Sequence, residues 1–281
     1  MDSSKDQSLA GRMVFITGAN SGIGRVTACE LARRGAHVFI ATRSLQRTQA
    51  VLDEIHQAKG KAEWLALDLG DLHSVRQCAQ AFLARQLPLH ILINNAGLAA
   101  GKGMTASGFE LAFGTNHLGH FLLTQLLQDC LIASSPARVV TVASAAHYSA
   151  KAIDWPSLQQ ATQSATGYPE YTVSKLANVL FSAELGRRLQ GTGVTTYAVH
   201  PGVIASDIWR TVPWPVRSVI KLFMKSNEEG AATTLYCATE PGLAQQTSLY
   251  YDECKEKYAS RLGQDLTLAA ELWQRSSTWV G

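Results

Sequence analysis

A glycine pattern near the start of the chain, Thr17-Gly-Ala-Asn-Ser-Gly-Ile-Gly24, separates an apolar run (12–17) from a helical stretch (22–34). No other feature limits the fold as much. Gly18 permits a sharp turn off a strand. Gly22 lets the main chain approach a diphosphate, and Gly24 removes a side chain where helix meets sheet. The helix that follows would offer unpaired N–H groups and the positive end of its dipole to an anion. The same spacing also serves ordinary glycine-rich βα turns, so its surroundings must decide. The Gly-Lys-Ser/Thr ending of a nucleoside triphosphate loop is absent.

The surroundings repeat. Short β-rich runs at 36–42, 62–67, 89–93, 138–143 and 194–199 alternate with helical stretches at 45–59, 73–86, 106–131 and 171–190. Such alternation predicts βαβ units and an α/β fold of the Rossmann type: a doubly wound parallel sheet of about seven strands in one domain, helices on both faces. Ligands then belong at the carboxyl ends of the strands.

A chain of 281 residues could hold two domains, but no linker, repeat or low-complexity block divides it. We read a flexible tail at 1–10, one domain at 11–258 and a C-terminal extension at 259–281. Lys and Arg number 25 against 22 Asp and Glu, and +3 spread evenly along the chain speaks against a nucleic-acid partner. Five scattered cysteines without a C-x-x-C pair argue against a disulfide framework or a metal site. The first ten residues hold no apolar leader and no run is long enough to span a bilayer, so the expectation is a cytoplasmic chain.

Candidate residues cluster where strands end. The second strand runs into Ala41-Thr42-Arg43, without the carboxylate that would bind an NAD ribose. Arg43, helped by Arg25, could pair with a 2′-phosphate, or both could be solvated surface charges. Asp68, followed by Leu69, could accept from an adenine amino group or cap a helix. Tyr171 and Lys175 stand four apart at a helix start and share a face. A nearby ammonium lowers a phenol's pKa toward the range where it exchanges protons with an alcohol or carbonyl. Alone this spacing is common on surfaces. Its weight comes from Ser144, which follows the fifth strand and could hold a carbonyl oxygen.

Taken together these pieces resemble the short-chain dehydrogenase/reductase family, across nearly the whole domain: Thr17–Gly24, Asp68, Asn94-Asn95-Ala96-Gly97, Asn116, Ser144, Tyr171-x-x-x-Lys175 and Pro201-Gly202. The resemblance implies NADP(H) as cofactor and hydride transfer between an alcohol and a carbonyl. Tyr171 would be general acid/base, Lys175 would tune it and hold the nicotinamide ribose, Ser144 would orient the substrate, and Asn116 would anchor a relay water. Gly18, Asn20, Ser21, Gly22, Ile23, Gly24, Arg43, Asp68, Leu69, Asn95, Ala96, Gly97, Pro201, Gly202, Val203 and Ser206 would surround the cofactor. The family often has Thr three residues after Gly202, where this chain has Ala205.

The stretches Asn116-His-Leu-Gly-His-Phe121 and Ser174-Lys-Leu-Ala-Asn-Val-Leu180, with 27 positions between Ser144 and Tyr171, are similar to the retinol dehydrogenase-like subgroup. That implies a lipophilic aldehyde or ketone such as a retinoid, with sterols, polyketide-like ketones and xenobiotics as alternatives. The subgroup's usual hydrophobic N-terminal anchor does not appear in this sequence. A non-catalytic NADPH sensor is the rival class, disfavoured because the Tyr–Lys pair is intact. Residues 204–227 read as a substrate lid, with Trp209 and Trp214 lining an apolar pocket. The cationic amphipathic part, 216–225, could instead touch a membrane surface, form a subunit contact in a homo-oligomer, or pack as core. His147 and Tyr148 are the further substrate candidates, although a buried or capping role suits His147 and His200 as well.

Overall fold

The computed structural model describes residues 8–99, 101–202 and 226–281. Its sheet has the order β3-β2-β1-β4-β5-β6-β7-β8 among the described residues. The strands are β1 (Met13–Thr17), β2 (His37–Thr42), β3 (Lys61–Ala66), β4 (Ile91–Asn94), β5 (Ala137–Val142), β6 (Val194–His200), β7 (Leu249–Asp252) and β8 (Lys255–Lys257). All neighbours pair in parallel except β7 with β8. The long helices are α1 (Gly22–Arg33), α2 (Leu45–Gln57), α3 (Leu72–Leu83), α5 (Gly119–Ala133), α6 (Tyr168–Arg188), α7 (Asn227–Thr239) and α8 (Leu266–Val280); α4 (Leu111–Phe113) is a single turn ahead of α5. None of the described helices is long and apolar enough to cross a membrane.

The sequence of each central strand explains why both faces are covered. Val14 and Ile16, Val38 and Ile40, Ile91 and Ile93, and Val140 and Val142 all belong to one apolar layer, with Leu31, Val51 and Ile55 from α1 and α2. The alternate residues Phe15, Phe39, Leu92 and Val139 belong to the other, with Val75, Phe121, Leu180 and Trp273 from α3, α5, α6 and α8. A sheet buried on both faces requires this near-continuous apolar run.

Three features depart from the sequence reading. The helix expected from 106 begins only at Leu111. Before it, Met104 and Glu110 form a β-bridge around Gly108, whose φ is +83°. Between α4 and α5 lies a π segment, Gly114–Leu118, closed by Gly119 N–H bonding to the Gly114 carbonyl. The sheet also gains β7 and the short antiparallel edge strand β8, both too short to stand out as periodic runs.

Residues 259–281 pack into the core. The Trp273 ring of α8 lies edge-on to Phe121 at 5.0 Å and stacks on Phe181 at 6.0 Å, and the Arg188 guanidinium sits 4.5 Å above it. Burial of an aromatic side chain with partners on two helices is worth several kcal/mol. Trp273→Ala is expected to destabilise the protein by about 3–5 kcal/mol, read as a lower denaturation midpoint at an unchanged m-value.

Candidate active site

The β-strands end at one edge, and the residues that follow them line one cavity of about 1380 Å³. Gly18 follows β1, Arg43 follows β2, Asn95 follows β4 and Pro201 follows β6, with Asp68 and Ser144 one residue further beyond β3 and β5. Asn20, Ser21, Gly22, Ile23, Gly24, Leu69, Ala96, Gly97, Tyr171, Lys175 and Gly202 complete the contribution of the sequence-derived candidates to this wall. Val203, Ser206, Trp209, Trp214 and most of the expected lid at 204–227, including 216–225, lie outside the described residues.

At the glycine turn two observations fit a diphosphate. Ser21 is the N-cap of α1, yet its side chain makes no capping bond. By contrast Ser44, Asp71, Ser226 and Asp265 cap α2, α3, α7 and α8 with their side chains. The first N–H groups of α1 are therefore left to an anion. The turn is also too tight for side chains. A Cβ on Gly18, whose φ is +68°, would stand 2.7 Å from the Ala96 Cα, and one on Gly24 would stand 2.5 Å from Asn95 Nδ2.

The wall beyond β2 is basic. Arg43 has no hydrogen-bond or ion-pair partner among the described residues. Arg25 does not join it: its guanidinium holds Glu54 of α2 through two bonds of 2.7 and 2.8 Å. Asp68 uses Oδ1 to accept from Gly70 N–H at 2.9 Å, while the cap of α3 is Asp71.

Around the Tyr–Lys pair the packing is dense. Tyr171 and Ser144 line the same cavity; burial pushes the phenol's pKa above the ordinary tyrosine value, and the nearby Ser144 side chain partly offsets this. Lys175 is 4% exposed. Its Nζ lies 5.8 Å from the Tyr171 ring centre and donates to the Val142 carbonyl at 2.9 Å, a carbonyl that Asn178 Nδ2 shares at 3.1 Å. Burial lowers the ammonium's pKa to about 8.

Asn116 sits in the π segment. Its Oδ1 accepts from Leu98 N–H at 2.9 Å, and its Nδ2 donates to the Leu98 carbonyl and to Ser174 Oγ, each at 2.9 Å. The amide thereby anchors the turn after β4.

His147 and Tyr148, expected against the substrate, are held elsewhere. His147 is buried, with Nδ1 2.7 Å from the Ser144 carbonyl and Nε2 accepting from Ser260 N–H at 3.0 Å. The Tyr148 hydroxyl donates to the Tyr258 carbonyl at 2.5 Å. Neither lines the cavity. Its outer wall comes instead from Leu98, Met104, Leu111, Thr166 and Tyr168, which the sequence reading did not single out. Buried Glu110 braces this wall, accepting from Phe113 N–H at 2.8 Å and from Thr162 Oγ1 at 2.5 Å. Tyr168 alone carried a signal, being one turn ahead of Tyr171 on the same helix.

A family model described as short chain dehydrogenase matches residues 12–214. The chain belongs to the short-chain dehydrogenase family. It is thus an oxidoreductase acting on CH–OH groups. Among its relatives, retinol dehydrogenase 12 of Homo sapiens is 46% identical over 281 residues, covering 97% of this chain and 87% of that protein. Retinol dehydrogenase 11 of Homo sapiens is 42% identical over 279 residues, with the same coverage of 97% and 87%. Within this family the chain is retinol dehydrogenase-like. An uncharacterized protein of Mycobacterium paratuberculosis has a crystal structure similar to this fold. Its TM-score is 0.80 at 35% identity, over 100% of this chain and 97% of that one. A structure described as an NAD(P)-dependent gluconate 5-dehydrogenase of Beutenbergia cavernae, with NADP bound at low occupancy, has a TM-score of 0.71 at 25% identity, over 88% and 97%.

The buried Lys175 has a measurable cost. An ammonium whose pKa falls on folding is destabilising wherever both states are protonated, below about pH 8. As pH rises from there toward the ordinary lysine value, the unfolded chain holds the proton that the folded one has released, so the cost disappears. This short-chain dehydrogenase is therefore expected to gain about 3 kcal/mol at pH 7 from Lys175→Met. The gain over wild type should shrink in melts run from pH 8 to pH 10.

Proposed function

We propose that the protein is an NADP(H)-dependent oxidoreductase that interconverts a lipophilic, retinoid-like aldehyde or ketone with its alcohol. The observation that carries this reading is that Tyr171, Ser144 and buried Lys175 line the same cavity as the glycine turn and Arg43, with Lys175 Nζ 5.8 Å from the Tyr171 ring centre. When bound, the dinucleotide supplies or takes the hydride.

The chain's own residues do the rest. The α1 N-terminus and Gly18–Gly24 would hold the diphosphate, and Arg43 the 2′-phosphate, since no carboxylate at the end of β2 competes for a ribose. Asp68 keeps one carboxylate oxygen for the adenine side. Ser144 Oγ orients the substrate oxygen, and Tyr171 donates its proton to that oxygen as charge develops. Lys175 places a positive charge near the phenol that must give up the proton. The Asn116 carbonyl offers a second lone pair to a relay water.

The phenol's raised pKa keeps it protonated at neutral pH, which suits carbonyl reduction rather than alcohol oxidation. Reduction is expected to be flat with pH below the phenol's titration and to fall above it, whereas oxidation rises over the same range. A retinoid-like substrate is supported by the names of the relatives and by apolar Leu98, Met104 and Leu111 in the outer wall.

Activity is tested by NADPH consumption with all-trans-retinal beside medium-chain aldehydes and bulky ketones. Tyr171→Phe is expected to lower turnover by about 10²- to 10⁴-fold, and wild-type turnover in that variant would refute the proton-transfer role. Arg43→Ala is expected to weaken NADPH binding by about tenfold or more and to leave NADH binding unchanged. Equal affinity of the wild type for NADPH and NADH, unaltered by Arg43→Ala, would remove the basis for NADP.

A further inference from the structure

The imidazole of His120 is 1% exposed and lies in α5, one turn after Asn116. Its neighbours fix its proton. Thr17 Oγ1, at the end of β1, accepts from Asn95 N–H and from Ala96 N–H, each at 3.0 Å. Those two bonds use the hydroxyl's lone pairs, so its hydrogen is free to point at His120 Nε2, 2.8 Å away. Nε2 is therefore the acceptor and Nδ1 carries the proton. Nδ1 lies 2.9 Å from the main-chain carbonyl of Asn116, which can only accept. Burial keeps the ring neutral, with a pKa lowered to about 4.

One neutral ring thus joins two halves of the site. On one side is Thr17, the residue that opens the glycine turn and holds the turn after β4. On the other is the carbonyl of Asn116. The Asn116 amide is already engaged with Leu98 and Ser174, so the carbonyl is the polar group this residue has left for a relay water. Gly119, next to His120, is pressed against β3's exit: a Cβ there would stand 2.3 Å from the Leu69 carbonyl. The backbone around the ring has little room to shift.

We propose that His120 is a positioning residue that couples the dinucleotide turn to the Asn116 carbonyl, so that one ring aligns both cofactor binding and proton delivery. The second half rests on the proton-transfer reading of Tyr171; the first half does not.

The two bonds can be broken and restored separately. Four proteins are compared by melting temperature, NADPH Kd from fluorescence titration, and kcat with the best carbonyl of the panel above. They are the wild type and its His120→Phe, His120→Asn and His120→Gln variants. His120→Phe, which removes both bonds and keeps a ring, is expected to weaken NADPH binding several-fold and to lower kcat about tenfold. His120→Asn can still donate to the carbonyl one turn back, so it recovers kcat but not Kd. His120→Gln reaches Thr17 and recovers Kd but not kcat. Wild-type Kd and kcat in His120→Phe would overturn the proposal. So would losses that follow the melting temperature in all three variants without this split. If Tyr171→Phe retains turnover, the proton reading fails while the NADPH arm still judges the coupling to the dinucleotide turn.

Discussion

Everything at the site follows from β1 having β2 on one side and β4 on the other. The chain builds outward to β3 in one direction and returns to build outward to β8 in the other, so the connections leaving β1 and β4 diverge. A crevice opens at their carboxyl ends because, among the described residues, the connections leave in opposite directions. Thr17 holds the rims of that crevice together, its hydroxyl taking Asn95 N–H and Ala96 N–H and its carbonyl taking Asn95 Nδ2 at 2.8 Å. With the rims fixed, Gly18 can approach Ala96 to within a distance that excludes any side chain. The turn stays open to a ligand's charge because it is closed to its own side chains.

The opposite half of the site is built against stability. The nearly buried ammonium of Lys175 donates to the Val142 carbonyl, which Asn178 also uses, and pairs with no carboxylate among the described residues. Surface cations in the same protein pair at little cost, as Arg187 and Arg188 do with Glu184. Such a buried, unneutralised charge persists where chemistry needs it. Three of the buried histidines show the contrasting solution: His117, His120 and His147 all have pKa values lowered by burial and serve as neutral connectors.

Elements whose cause is local were legible in the sequence. The glycine turn, the alternation of apolar strands with helices, and the Tyr171–Lys175 spacing all state their geometry within a few residues. Contacts set by distant segments were not legible. Arg25 reads as a free cation until Glu54, 29 residues on, is brought alongside by α2. For His147 the sequence left a site role and a buried role open, and the contact that favours the buried one comes from Ser260, 113 residues on. The helix starts at Leu111 and not at 106 because Gly108 takes a positive φ and the Met104–Glu110 bridge, with Glu110 buried beside Thr162, turns the chain before it is free to coil. The π segment Gly114–Leu118 has no pattern of its own, since it lies within an otherwise helical run.

Helix α8 gives the fold a direction in time. Phe181 and Leu185, on the inner side of the helix that carries Tyr171 and Lys175, share one core with Leu272 and Trp273 of α8. A chain emerging from the ribosome presents the helix that carries Tyr171 and Lys175 nearly a hundred residues before the segment that covers its back. Until 266–280 has been made, that apolar surface has no cover from the α8 side.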